Sequence, residues 1–82
     1  MYEELTEDAF TALRCIDTAR SGVGDEANLA FMLDWSDTRT HRAVDELHGR
    51  ELLERRPKLS NGTPARLVVT IPGKAVARRV RS

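Results

Sequence analysis

The sequence predicts a small, mainly α-helical domain with one β-hairpin. The order is helix, a one- or two-residue strand, helix, helix, hairpin, helix. Three observations lead there. Residues 7–20, 26–33 and 37–50 carry apolar positions at helical spacing, each run preceded by a capping residue. Residues 53–59 and 66–71 are short, strand-like runs separated by Ser60-Asn61-Gly62-Thr63-Pro64, a dense turn signal. The 82 residues are of a length for one domain spanning 1–82, with a modest core.

The first helix starts at Thr6, whose hydroxyl caps it. Glu7 and Asp8 suit the positive end of its dipole, and Leu5 and Phe10 stand at staple positions on either side. Ala9, Phe10, Ala12, Leu13 and Ile16 form its apolar face. It should end at Ser21-Gly22, and Gly22-Val23-Gly24 is long enough only for a bridge to the hairpin. Asp25 caps the second helix, in which Ala27, Leu29, Ala30, Met32 and Leu33 are apolar and Phe31 adds bulk on a flank. Asp34 stands where a left-handed residue is needed, and Asp tolerates that backbone better than most. Trp35 is expected to plug the turn; the alternative is an exposed ring that stacks on a base or a partner.

Ser36 caps the third helix, and Asp37 lies in its first turn. Thr40, Ala43, Val44 and Leu47 face inward. Thr38, Arg39, His41, Arg42 and Asp45 are left outside, with hydrogen-bonding and cationic groups at the N-terminal end. A helix read into the DNA major groove presents such groups there; a solvated amphipathic helix has the same pattern. In the hairpin, Pro57 marks an edge strand, Asn61-Gly62 favours left-handed turn geometry, and Arg55, Arg56, Lys58 and Arg66 lie along it. Thr70 caps the last helix with Pro72 in its first turn. Ala75, Val76, Ala77 and Val80 are expected inside, and Lys74, Arg78, Arg79 and Arg81 outside.

Net charge is zero, but its distribution is uneven. Residues 1–34 carry eight acids and two bases; residues 35–82 carry five acids and eleven bases. A phosphate backbone responds to the field of the contacting face, so the second half remains compatible with nucleic acid. Cys15 is the single cysteine, which excludes an intrachain disulfide and argues against a zinc site. His41 and His48 are seven apart, where helical zinc pairs sit four apart. No Gly-rich phosphate loop or nucleophile–base pairing appears, so neither catalysis nor a cofactor is expected. No signal peptide and no membrane span are read, and a cytoplasmic protein is expected.

The order of elements resembles a winged helix-turn-helix domain, and the residues resemble most the DNA-binding core of MarR-type transcriptional regulators. The matching pieces are Leu29-Ala30 with Leu33, the Ser36 cap, Val44-Asp45-Glu46-Leu47, Leu52-Leu53-Glu54-Arg55, and Thr70-x-x-Gly73-Lys74. The resemblance implies that Ser36, Thr38, Arg39, His41 and Arg42 contact double-stranded DNA, with Arg39 and Arg42 as guanine contacts. It implies that Arg55, Arg56, Lys58 and Arg66 flank the wing, with Asn61 and Gly62 at its tip near the minor groove or backbone. Two features depart from the family. Glu51 occupies the place of a glycine just past the third helix, and Asp37 and Asp45 put negative charge on the DNA face. Family members dimerise through long terminal helices; here a homodimer must use the first and last helices or another surface. The expectation is a small DNA-binding regulator. The alternative is a protein–protein module whose basic face meets an acidic partner.

Overall fold

The computed structural model describes residues 5–19 and 23–79. It contains α1 (Glu7–Thr18), α2 (Glu26–Leu33), α3 (Asp37–Gly49), β1 (Leu53–Arg56), β2 (Arg66–Val69) and α4 (Ile71–Ala77). The first helix ends at Thr18, with Ala19 already extended, one or two residues before the expected end; Ser21-Gly22 and the placements of Val80 and Arg81 lie outside the described residues. No described helix is long and apolar enough to cross a membrane.

All four helices begin at the capping residue expected. Thr6 accepts from the Ala9 amide, Asp25 from Asn28, Ser36 from Arg39 and Thr70 from Gly73. Each cap satisfies one of the amides that a first turn leaves without a carbonyl. The Thr6 cap is completed from a distance. Its own N–H donates to Glu46 Oε2 at 3.0 Å, and its hydroxyl donates to Glu46 Oε1 at 2.7 Å. In a capping box this carboxylate comes from the same helix; here α3 supplies it, which joins α1 to α3.

The core follows from the inward stripes. Ala9, Ala12, Leu13 and Ile16 of α1 pack with Leu29 of α2, Ala43, Val44 and Leu47 of α3, and Leu52, Leu53, Leu67, Val69, Val76 and Ala77 beyond them. Thr40 is fully buried among them because its hydroxyl donates to the Ser36 carbonyl at 2.9 Å. Cys15 is half-buried, and burial pushes its thiol above the ordinary range, which disfavours the reactive thiolate. In α4 the inward positions are Gly73, Val76 and Ala77, and Ala75 is exposed, contrary to expectation. A glycine occupies the contact because α4 begins against the Leu52 backbone. In α2 only Leu29 and Ala30 are buried, so Ala27, Met32 and Phe31 face solvent, Phe31 at 86% exposure.

The two strands pair antiparallel, Leu53 opposite Val69 and Arg56 opposite Arg66. Val23 bridges to Leu67, whose N–H donates to the Val23 carbonyl at 2.8 Å; this is the short strand the glycine-flanked valine predicts. The strands are shorter than the sequence suggests. β1 stops before Pro57, which has no N–H for a ladder, so Lys58 and Leu59 join the connecting loop. Ile71, read as the end of a strand, is the first residue of α4. Within the loop Gly62 has φ 95°, the left-handed region its Asn-Gly pair favours, and the Asn61 side chain accepts from the Thr63 amide at 3.0 Å.

Asp34 and Glu51 are the two non-glycine residues with left-handed backbone among those described, at φ 57° and 62°. Glu51 closes α3. Its N–H donates to His48 and the Leu52 N–H donates to Leu47, the paired bonds that end a helix and usually place glycine at this point. A β-carbon there costs about 1 kcal/mol, of which glycine returns part as unfolded-state entropy. Glu51→Gly is therefore expected to stabilise the fold by about 0.5 kcal/mol, read as a raised urea midpoint at unchanged slope.

Candidate nucleic-acid interface

Ser36, Thr38, Arg39, His41 and Arg42 are all exposed at the N-terminal end of α3, as its 3.6-residue period requires once Thr40, Ala43 and Val44 are buried. They differ in how their polar groups are engaged. Ser36 accepts from the Arg39 amide and so sets where the helix starts. Arg39 donates from Nε and Nη2 to the two carboxylate oxygens of Asp8 on α1, both at 2.9 Å. Its guanidinium also lies 4.2 Å from the centroid of the Trp35 ring. Trp35 is thus packed against the core as the plug the sequence suggests, but only half-buried, with its ring also in contact with an arginine. The hydrogen bonds from Arg39 hold the Asp8 carboxyl below its ordinary value, against a smaller opposing effect of desolvation. Arg42 has no ion-pair or hydrogen-bond partner among the described residues.

The strand register sorts the basic residues of the hairpin. Residues directly opposite share a face of a two-stranded sheet. Arg55 stands opposite Leu67, on the face that also holds the buried Leu53–Val69 pair. Arg55 therefore turns toward the helices, where Nη2 reaches Glu26 Oε2 at 2.9 Å and Asp45 Oδ1 at 3.5 Å. Arg56 and Arg66 stand opposite each other on the outer face. Like charges across a ladder repel, and Glu54, 3.4 Å from Arg56, offsets part of this. Lys58, Asn61 and Gly62 lie in the loop beyond, all exposed.

Glu26, the first residue of α2, joins the two elements. Its Oε1 is 2.8 Å from His41 Nδ1 on α3 while its Oε2 accepts from Arg55 on β1. Partial burial alone raises this carboxyl; the bonds from His41 and Arg55 together outweigh burial and hold it below its ordinary 4.5. A carboxyl depressed on folding stabilises the fold fully above its unfolded value, and that stabilisation fades as pH falls through the lower folded value. The stability difference between wild type and Glu26→Gln is thus expected to be full at neutral pH and to vanish in acid. Urea titrations followed by circular dichroism at several pH values check this; a pH-independent difference counts against the linkage.

Sequence reasoning does not find Asp8 and Glu26. Asp8 reads as a first-turn acid that suits a helix dipole and Glu26 only as the start of the second helix, and nothing within a turn or two of either points to its arginine or histidine. Together with Asp45 and Glu54 they pair with Arg39, His41, Arg55 and Arg56. Arg42, Lys58 and Arg66 are left without partners among the described residues. Among the described residues, no group of three or more His, Cys, Asp or Glu side chains is arranged to hold a metal ion.

No protein-family profile and no curated protein matches the chain. Solved structures do. A point mutant of S. aureus MepR superposes with a TM-score of 0.74 at 15% identity, over 88% of this chain and 53% of that one. RV1404 from Mycobacterium tuberculosis superposes with a TM-score of 0.75 at 28% identity, over 92% of this chain and 50% of that one. Both are MarR-type winged-helix proteins, and this chain spans about half the length of each. With three helices, a two-stranded wing bridged by Val23 and a closing helix, the chain has the winged helix-turn-helix fold of the MarR type.

Proposed function

We propose that the chain is one DNA-binding domain, 1–82, of a transcriptional regulator. It lays α3 in the major groove and sets the basic wing on the backbone or in the minor groove. Thr38, His41 and Arg42 face base edges. Ser36 and Arg39 contact phosphate at the helix start, and Arg55, Arg56, Lys58 and Arg66 follow the backbone, with Asn61 and Gly62 at the tip. No catalytic role is part of this reading. Its structural neighbours are MarR-type transcription regulators, which supports it, and a homodimer is the assembly that suits this class.

The observation that carries the reading is the double engagement of Glu26. One carboxylate holds His41 of α3 and Arg55 of β1, at 2.8 and 2.9 Å. The outward side of α3 and the base of the wing are therefore tied together, with Arg42 exposed on α3 and Arg56 and Arg66 exposed on the outer face of the wing. A duplex offers phosphates on both sides of one groove, and such a surface can meet both.

A second reading follows from the carboxylates on the same surface. Asp8, Glu26, Asp45 and Glu54 already compensate three of its arginines, Arg39, Arg55 and Arg56, which suits a protein partner better than a polyanion. Fluorescence anisotropy with a mixed-sequence duplex over a range of salt separates the two. DNA binding gives a linear fall of log affinity with log salt, with a slope of about −0.9 per phosphate neutralised. No binding at low salt favours the protein partner.

A further inference from the structure

We propose that Glu26 is a positioning residue that makes His41 a base-reading residue of α3; this rests on the DNA-binding reading above. An ionised carboxylate only accepts hydrogen bonds, so the contact between Glu26 Oε1 and His41 Nδ1, at 2.8 Å, places the ring proton on Nδ1. The other nitrogen, Nε2, then carries a lone pair in the neutral ring. The ring is fixed by the bond but is not covered by it, since 60% of the His41 side chain is exposed. It follows Thr38 by three residues on the outward side of α3, where it faces the same groove as Arg42.

The second Glu26 oxygen decides how firmly the first is held. Oε2 accepts from Arg55 Nη2 at 2.9 Å, and Arg55 also reaches Asp45 of α3 at 3.5 Å. Glu26 is thereby fixed between α3 and β1, and the imidazole cannot turn to donate outward without giving up the carboxylate. The charged groups of this cluster are Glu26 on α2, Arg55 on β1 and Asp45 on α3.

An outward acceptor complements an outward donor. In the major groove the base donors are the amino groups of adenine N6 and cytosine N4. Guanine and thymine present oxygen acceptors at the corresponding positions, and these meet the Nε2 lone pair unfavourably. His41 therefore selects an amino-bearing base at one position of the site, while Arg42 is free to select guanine at another.

The test uses the full chain at about pH 8. The probe is the duplex that the wild-type chain enriches from a randomised pool, with a variant that swaps one base pair at each position. The measured quantity is the ratio of the two dissociation constants, in which any loss of folded protein cancels. Wild type is expected to prefer an amino-bearing base at one position by about five- to tenfold. Glu26→Ala and His41→Ala are each expected to erase that preference, and the double variant to lose no more than either alone. An unchanged ratio in Glu26→Ala, or losses that multiply in the double variant, overturns the positioning role. A His41-dependent position that prefers guanine or thymine overturns the acceptor assignment. Failure to enrich any duplex overturns the DNA-binding reading and this proposal together, whereas enrichment with a ratio indifferent to Glu26 overturns this proposal alone.

Discussion

Gly73→Ala is expected to be the most damaging glycine-to-alanine change among the described residues. A β-carbon built at Gly73 falls 2.1 Å from the Leu52 carbonyl oxygen and 2.8 Å from Val69 Cγ1. The first of these neighbours is backbone and cannot rotate away. Leu52 is held there on both sides: its N–H donates to Leu47 at the end of α3, and its oxygen accepts from the Thr70 amide at 3.1 Å. The Thr70 hydroxyl meanwhile donates to the Glu51 carbonyl at 2.8 Å and accepts from the Gly73 amide at 3.0 Å. The end of α3 and the start of α4 thus share one set of bonds, and a methyl group inserted there must separate them. Overpacking of this kind costs about 3 kcal/mol, a large share of the stability of a small domain. The melting temperature should fall by on the order of 15 °C. Gly49→Ala is the matched control. Nothing lies within 4 Å of a β-carbon built at Gly49, which occupies the last turn of α3. Alanine there should be neutral or stabilising by about 0.5 kcal/mol. A Gly73→Ala protein melting within a few degrees of wild type would show that α4 moves off Leu52 at little cost.

Arg42→Ala is expected to have the largest effect on DNA binding with the fold intact. Arg42 is exposed, makes no contact that the fold depends on, and is the arginine of α3 without a partner among the described residues. Its five donors can meet guanine O6 and N7 together. Removing a good bidentate pair weakens binding to the preferred duplex by about 1–3 kcal/mol, on the order of ten- to a hundredfold, and flattens the preference at one base pair. Lys58→Ala and Arg66→Ala should behave differently, with weaker binding to all duplexes alike and a salt slope smaller by about one for each phosphate no longer neutralised. Arg39→Ala should fall between them. Its guanidinium must leave Asp8 before it can meet a phosphate, so part of its Coulombic gain is already used within the fold. Anisotropy titrations at several salt concentrations separate the three patterns. If Arg42→Ala lowers affinity equally for every sequence, Arg42 is a phosphate contact and the base reader lies elsewhere.

The aspartate at position 34 and the glutamate at 51 show how far local reading reaches. The sequence places a left-handed residue at Asp34 and a missing glycine at Glu51, and both have positive φ. The four caps were equally legible, because each depends on a side chain and an amide three residues apart. The one-residue bridge at Val23 could be read from its flanking glycines and from the β-branched run that it meets. The length of the hairpin was harder to read. Nothing local states whether a strand continues past a proline when an isolated loop can take over its bonds, and here Leu59 and Thr63 close that loop among themselves.

What the chain order decides in this protein is which residues are helical, which side of each helix is apolar, and which charges are left outside; these depend on neighbours within four positions, where covalent geometry dictates distance. Which outside charges remain available was decided by packing. Arg39 meets Asp8 across 31 residues, Arg55 meets Glu26 across 29, and Thr6 meets Glu46 across 40. Ion pairs form wherever the folded backbone brings opposite charges within a few ångströms, and that proximity exists only once α1, α2 and the wing have docked around α3. The surface that reads as mostly basic along the chain is, once folded, a place where Arg42, Lys58 and Arg66 stand among arginines already held by acids brought from other elements.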